Sequence, residues 1–330
     1  MKFKPSPFYL YPIEEPYLDN LFVNREEELK IAEDPFTSEY IERSSVSEIC
    51  AVIGDIGSGK SSLLNYIRAS VEKENFDVSY HDREDEAFPT AKIFEKESDV
   101  YVIDDVDKLD EGKARQFYTM LEKAISKCNL IYFSETYRRD EDLVKLRNST
   151  VSENIILPRF LKEETLKDIL KERMKNCLVS SKSEFEFPFS DQAIKMASIR
   201  SGNNLRSFFK YCKEAWKISE NKEHIEDDTM KKGISMIDRE LISRLDMNEI
   251  RILWTITESA KNKKYAANRV NINRKTLDRE LREGPLKNLV ESERKGNQVI
   301  LKSIYSRLPE GKEILEDIYT RMGVDIEGLF

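Results

Sequence analysis

Alternation of short β-rich runs with helical stretches predicts an α/β domain on a mainly parallel sheet at the front of this 330-residue chain. A helical segment and a small α+β module are expected to follow. Three observations carry this reading. Between Glu48 and about Leu157, the runs EICAVIG, FDVSYH, VYVID, NLIYFS and NIIL have strand length, while SSLLNYIRASVEKE and the stretch from about Lys113 to Ser126 have helical spacing. From Pro158 to about Ile237, apolar residues such as Leu161, Leu166, Ile169 and Leu170 recur at steps of three and four. Beyond about Leu241, short helices lead into the apolar alternation Gln298–Val299–Ile300–Leu301 and a last helix. The expected domains are therefore 1–157, with an N-terminal extension, then 158–237, then 238–330.

Composition narrows the class. Charged residues make up 35% and apolar ones 39%, enough to bury a core, so wholesale disorder is excluded. Fifty-four Lys and Arg against 62 Asp and Glu leave a net charge of −8, which on average repels nucleic acid and anionic membranes. Four scattered cysteines without a C-x-x-C pair and two histidines make neither a disulfide framework nor a zinc site. The N-terminal stretch MKFKPSPFYLYPIEEPYLDN carries prolines and acids where a secretory signal needs an apolar core. No run reaches the roughly 18 apolar residues of a membrane span, so a cytoplasmic or nucleoid-associated protein is expected. No fixed-period repeat is visible.

Gly54-Asp55-Ile56-Gly57-Ser58-Gly59-Lys60-Ser61 fits G-x-x-x-x-G-K-[ST], preceded by an apolar strand and followed by a helix. Glycines let backbone N–H groups turn inward around phosphates, and the helix N-terminus adds partial positive charge. Lys60 reaches the β- and γ-phosphates and the Ser61 hydroxyl can ligate Mg²⁺. Asp55 to Ser62 are thus the candidate ATP cradle. Val100-Tyr-Val-Ile-Asp104-Asp105 places two carboxylates at the end of a buried-looking strand, a Walker B pattern. Asp104 would hold the metal and Asp105 would orient or deprotonate the attacking water.

Phe22-Val-Asn-Arg25-Glu26-Glu-Glu-Leu29 resembles the F-V-x-R-E-x-E-L box that precedes the P-loop in AAA+ ATPases of the origin-recognition and helicase-loader type. Asp104-Asp-Val-Asp107-Lys-Leu109 resembles their D-E-I-D-x-L, with Asp105 where many such ATPases have Glu. Ser201-Gly202-Asn203-Asn204-Leu205-Arg206 resembles the stretch whose arginine is sensor 2. The resemblance covers roughly residues 20 to 237. It implies an α/β P-loop AAA+ base with a parallel sheet, an α-helical lid beginning near Pro158 and a C-terminal winged-helix domain. It further implies that Arg25 and Arg206 lie at the nucleotide, with Arg206 contacting the γ-phosphate. Asn129-Leu-Ile-Tyr-Phe-Ser134-Glu135 occupies the sensor-1 strand; Glu135 stands where Asn is usual, and Ser134 or Thr136 are substitutes for that role. For an arginine acting on a neighbouring subunit's nucleotide, Arg147 fits best by position, with Arg138 and Arg139 as rivals. Initiators of this type carry a long insertion before Walker B. Here only about Glu74 to Asp99 is available, and the acidic run Asp82-Arg-Glu-Asp-Glu86 opposes phosphate binding there.

Charge is unevenly spread. Lys261 to Arg307 holds thirteen basic and five acidic residues, an excess of +8, leaving −16 for the remainder. Tyr265-Ala-Ala-Asn-Arg-Val-Asn-Ile and Asn273-Arg-Lys-Thr-Leu-Asp-Arg-Glu-Leu-Arg282 have the shape of a helix-turn-helix. Its second helix bears Arg274, Lys275, Arg279 and Arg282. A following hairpin would form a wing with Arg294 and Lys295 at its tip, in reach of a phosphate backbone. The expected function is an ATP-driven conformational switch with slow hydrolysis, acting on duplex DNA through the winged helix. Homo- or hetero-oligomers through AAA+ interfaces are compatible with it. The alternative is a regulatory NTPase of a defence system or mobile element whose winged helix docks a protein.

Overall fold

A computed structural model of the chain describes residues 3–33, 48–82, 91–94, 98–124, 130–136, 141–158, 161–179, 185–219, 224–258, 262–295, 298–308 and 310–325. Contacts divide it into two compact units. One comprises Lys2–Phe185 with Asn204–Arg206; the other comprises Glu186–Asn203 with Ser207–Phe330. The expected boundaries at 157/158 and 237/238 fall inside these units.

The first unit holds α1 (Leu18–Leu21), α2 (Glu26–Glu33), β1 (Glu48–Ile53), α3 (Lys60–Lys73), β2 (Val78–His81), β3 (Val100–Ile103), α4 (Glu111–Ala124), β4 (Leu130–Glu135), α5 (Glu141–Thr150), β5 (Glu153–Ile156) and α6 (Glu163–Cys177). All five strands lie in one parallel sheet of order β2-β3-β4-β1-β5. Helices cover both faces, so the central strands read as unbroken apolar runs and not as alternations. On one face Tyr101, Ile103, Ile131 and Phe133 pack against Ala114, Phe117, Tyr118 and Leu121 of α4. On the other, Cys50, Val52, Val102 and Tyr132 meet Leu63, Leu64, Ile67 and Val71 of α3. Cys50 is so enclosed there that burial, aided by Glu48 and Glu153, pushes its thiol up to about 12.

The N-terminal segment is part of this unit. Ile13 donates its N–H to Ser62 Oγ at 3.0 Å and accepts from Asn65 Nδ2 at 3.0 Å, fastening the segment to α3. Lys4 donates to the carbonyl of Cys177 at 2.8 Å, which fastens its beginning to the end of α6. Ile13, Leu18 and Leu21 close a small apolar cluster with Ala69 and Cys177. On α6 the residues Leu166, Ile169, Leu170, Arg173, Met174 and Cys177 are buried, the spacing of a single helical face.

The second unit contains α7 (Asp191–Ser201), α8 (Leu205–Ile218, apart from its first two residues), α9 (Asp227–Ile242), α10 (Met247–Glu258), α11 (Lys263–Val270) and α12 (Arg274–Glu283). The antiparallel hairpin of β6 (Val290–Lys295) and β7 (Gln298–Ser303) and then α13 (Gly311–Arg321) complete it. Side chains at the residues before them start three of these helices: Ser190 Oγ accepts from Ala193 N–H, Asn262 Oδ1 from Tyr265 N–H and Asn273 Oδ1 from Thr276 N–H. Among the described residues no helix is long and apolar enough to cross a membrane, and no group of three His, Cys, Asp or Glu could hold a metal ion.

Candidate functional site

β1 ends at Ile53 and the chain turns through Gly54–Gly59 into α3. Gly57 (φ 82°) and Gly59 (φ 104°) take the left-handed backbone that a side chain disfavours. A Cβ on Gly57 would also lie 2.8 Å from the Asn204 amide and 3.2 Å from Arg206 Cβ, and one on Gly54 would collide with Ser58 Oγ. The loop is therefore shaped by the absence of side chains. Lys60 Nζ turns back to donate to the carbonyls of Gly54 (2.9 Å) and Asp55 (3.3 Å). Ser58 Oγ is buried with no hydrogen-bond partner among the described residues, an orphaned polar atom inside the cradle. Glycine conformations, lysine, orphan hydroxyl and helix N-terminus together fit a polyphosphate.

The flanking residues split into those that build the loop and those that face it. Arg25, buried, donates from Nη2 to the Ser58 carbonyl at 2.9 Å and from Nη1 to Glu28 at 2.8 Å, so it props the loop through a backbone oxygen. Ser62 lends its hydroxyl to Ile13, while the half-buried Ser61 sits one residue nearer the loop. Arg173 of α6 is also enclosed: burial pushes its guanidinium down to about 9, the Cys177 thiol opposing and the Arg25 charge adding to the shift. Sequence reasoning gave Arg173 no role, because a lone arginine in a helical pattern reads as solvated.

Asn204 Nδ2 donates to the Ile56 carbonyl at 2.5 Å, so Asn204–Arg206 are held against the loop tip, with the Arg206 side chain exposed.

Asp104, buried, follows β3 directly, and Ser134 follows Phe133 on the adjacent strand. Ser134 Oγ donates a short hydrogen bond to Asp104 Oδ1 and accepts the Asp105 N–H at 3.0 Å; that N–H also reaches Asp104 Oδ1 at 2.8 Å. Of Ser134 and Glu135, Ser134 is the side chain hydrogen-bonded to Asp104. Glu135 points to the opposite face, as the period of two in a strand requires. There it is fully buried, accepting from Tyr118 OH at 2.5 Å and pairing with Arg147 Nη1 at 3.3 Å. Arg147 is thereby tied within its own chain, and an action on a neighbour would require breaking that pair. Arg138 and Arg139 lie outside the described residues.

In the second unit, Arg274, Lys275, Arg279 and Arg282 are all exposed on α12, and Arg294 is exposed on β6; the side chain of Lys295 lies outside the described residues. Asn273, Arg274, Lys275, Thr276 and Arg279 line a shallow depression of about 510 Å³ at the start of α12. Several basic residues of this region are already paired: Lys263 with Asp278 (2.5 Å), Arg269 with Glu258 (2.6 Å), Arg279 with Glu280 (2.8 Å) and Lys302 with Glu293 (2.6 Å). Arg307 pairs with Glu291. No ion pair joins Arg274, Lys275, Arg282 or Arg294 to a described residue.

A glycine-shaped loop at the end of β1, a carboxylate pair at the end of β3 and a parallel sheet of order β2-β3-β4-β1-β5 are the arrangement of the AAA+ fold. Solved structures agree. The chain is similar to the Thermotoga maritima RuvB Holliday junction branch migration motor, at 18% identity and a TM-score of 0.51, over 92% of this chain and 96% of that one. It is also similar to the Aeropyrum pernix ORC1 protein, solved in complex with DNA, at 13% identity and a TM-score of 0.56, over 93% and 96%. At these identities the likeness is one of fold. No protein-family model and no curated protein matches the chain.

Proposed function

We propose that this protein is an initiator-like or helicase-loader-like AAA+ ATPase that binds ATP with Mg²⁺, hydrolyses it slowly, and uses the nucleotide to reset a DNA-binding winged helix. The observation that carries the nucleotide half is the loop itself: Gly57 and Gly59 in left-handed backbone, Lys60 aimed back over the loop, and Asp104 held by Ser134 beside it. Ser61 and Asp104 would hold Mg²⁺, which when bound offsets phosphate charge and polarises the γ-phosphoryl group. Lys60 would exchange its two carbonyl partners for phosphate oxygens, a stronger charge-assisted bond. Asp105 would accept the proton of the attacking water as that oxygen bonds to Pγ; the Pγ–O bridge then breaks and its electron pair leaves with ADP. Aspartate is shorter than the glutamate usual at this position, which favours slow turnover. Arg206, at the loop tip, would read the γ-phosphate.

The DNA half is supported by charge and shape. The turn between α11 and α12, the exposed Arg274, Lys275, Arg279 and Arg282, and the β6–β7 hairpin resemble a winged helix, and the similar ORC1 structure contains DNA. Two measurements test the reading. Lys60→Ala should weaken ATP binding by roughly tenfold or more in a calorimetric titration, given the worth of charge-assisted bonds. Duplex DNA affinity across a salt series should fall steeply for the wild type, and changing Arg274, Lys275, Arg279 and Arg282 to Ala should flatten the slope by about 0.9 per lost phosphate contact. The paired basic residues favour one alternative, a regulatory NTPase of a defence system or mobile element whose winged helix docks a protein. No duplex affinity at low salt with ATP present would select that alternative.

A further inference from the structure

The proposed base is already engaged. Asp105 has left-handed backbone (φ 61°), a conformation that aspartate tolerates but that marks a locally constrained site. Its N–H is shared by Asp104 Oδ1 and Ser134 Oγ, and its carbonyl accepts the Lys108 N–H at 3.0 Å, so the peptide on each side is fixed. This short helical turn, Val106–Lys108, brings Lys108 Nζ back to Asp105 Oδ1 at 2.5 Å. Asp105 keeps 19% of its side-chain surface exposed and Lys108 keeps 48%, so the ammonium caps the carboxylate from the solvent side.

A carboxylate oxygen that accepts an ammonium N–H offers less of its electron density to a water proton. We propose that Lys108 is a positioning residue that latches Asp105, so that hydrolysis waits on the opening of the Asp105–Lys108 pair. This rests on reading Asp105 as the base. Because both partners are partly exposed, the pair is weak enough to open thermally and to yield to a ligand or partner surface that attracts Lys108. It is a brake on turnover and not a block.

The test uses the full chain and separates binding from turnover. ATP affinity and single-turnover hydrolysis at saturating ATP and Mg²⁺ are measured for wild type, Lys108→Met, Lys108→Arg, Asp105→Ala and the double variant Lys108→Met/Asp105→Ala. A latch predicts that Lys108→Met hydrolyses about two- to fivefold faster with unchanged affinity, the range that an exposed pair can supply. Lys108→Arg keeps the wild-type rate, and the gain vanishes in the double variant. An unchanged or slower Lys108→Met that binds ATP and keeps its helical circular dichroism overturns the latch, as does a gain that survives in the double variant. Asp105→Ala hydrolysing at the wild-type rate, or a wild type that does not bind ATP, would instead overturn the reading on which the latch rests.

Discussion

Ser134 uses one oxygen twice, donating to Asp104 and accepting from the Asp105 N–H. Removing it strips a buried carboxylate of a donor, which costs about 1–3 kcal/mol where no water replaces it. Ser134→Ala is therefore expected to lower the urea midpoint of the ligand-free protein without changing the slope of its unfolding curve, and a midpoint equal to that of the wild type would argue against the bond. Which of Ser134 and Glu135 meets Asp104 was not legible in the sequence. Alternation puts them on opposite faces, but only the pairing of Ile103 with Phe133 says which face Asp104 shares. Gly54 to Ser61 was legible, because its chemistry lies in contiguous backbone and needs no partner from elsewhere in the chain.

Helix contacts show the same division between local and long-range information. Gly233 lies within α9 where a Cβ would come 2.9 Å from the Ala215 backbone nitrogen on α8. Alanine gains about 1 kcal/mol over glycine in intrinsic helix propensity, but forced overpacking costs about 1–3 kcal/mol, so Gly233→Ala should destabilise on balance. A raised melting temperature would refute this. The start of α10 was readable in principle: Asp246 Oδ1 accepts the Glu249 N–H and Glu249 Oε2 accepts the Asp246 N–H, each at 2.9 Å, the reciprocal cap that D-x-x-E signals. Between α11 and α12, Lys263 donates to Asp278 and holds its carboxyl below the usual 3.8. A lowered folded value means that this pair adds stability above about pH 3.8 and loses it as pH falls through the folded value. Acid unfolding followed by circular dichroism should thus begin at higher pH in Lys263→Met. The basic count between Lys261 and Arg307 was visible as a sum, yet its pairing was not, since Glu258, Glu291 and Glu293 approach only once the helices and hairpin have packed.

At the scale of the whole molecule, the second unit is organised around one buried carboxylate. Asp238 of α9 accepts from Arg200 Nε (2.6 Å) and Nη2 (2.8 Å) of α7, from Tyr211 OH (2.9 Å) of α8 and from Tyr305 OH (2.7 Å) in the turn after β7. Arg200 also lies over both tyrosine rings, 5.3 and 5.6 Å from their centroids. All four lone-pair directions of the carboxylate are filled, which is the condition under which a buried ion pair offsets its desolvation. Because its donors come from residues 200, 211 and 305, the hub joins helices of the expected lid to the module expected to be a winged helix. Sequence periodicity marks each helix separately and cannot reveal a bond that spans 67 residues. Removing the carboxylate leaves Arg200 charged, buried and without its counter-ion, so Asp238→Ala should cost about 3–5 kcal/mol. Tyr305→Phe should cost about 1.5–3 kcal/mol, the worth of a hydrogen bond to a charged group. Differential scanning calorimetry separates this hub from a merely local contact. If Asp238 couples the helices to the hairpin module, the wild-type second unit melts in one transition and Asp238→Ala broadens or divides it. A variant transition that moves down in temperature while remaining single and equally sharp would mean that α7–α9 and the C-terminal elements are held together by their apolar packing alone.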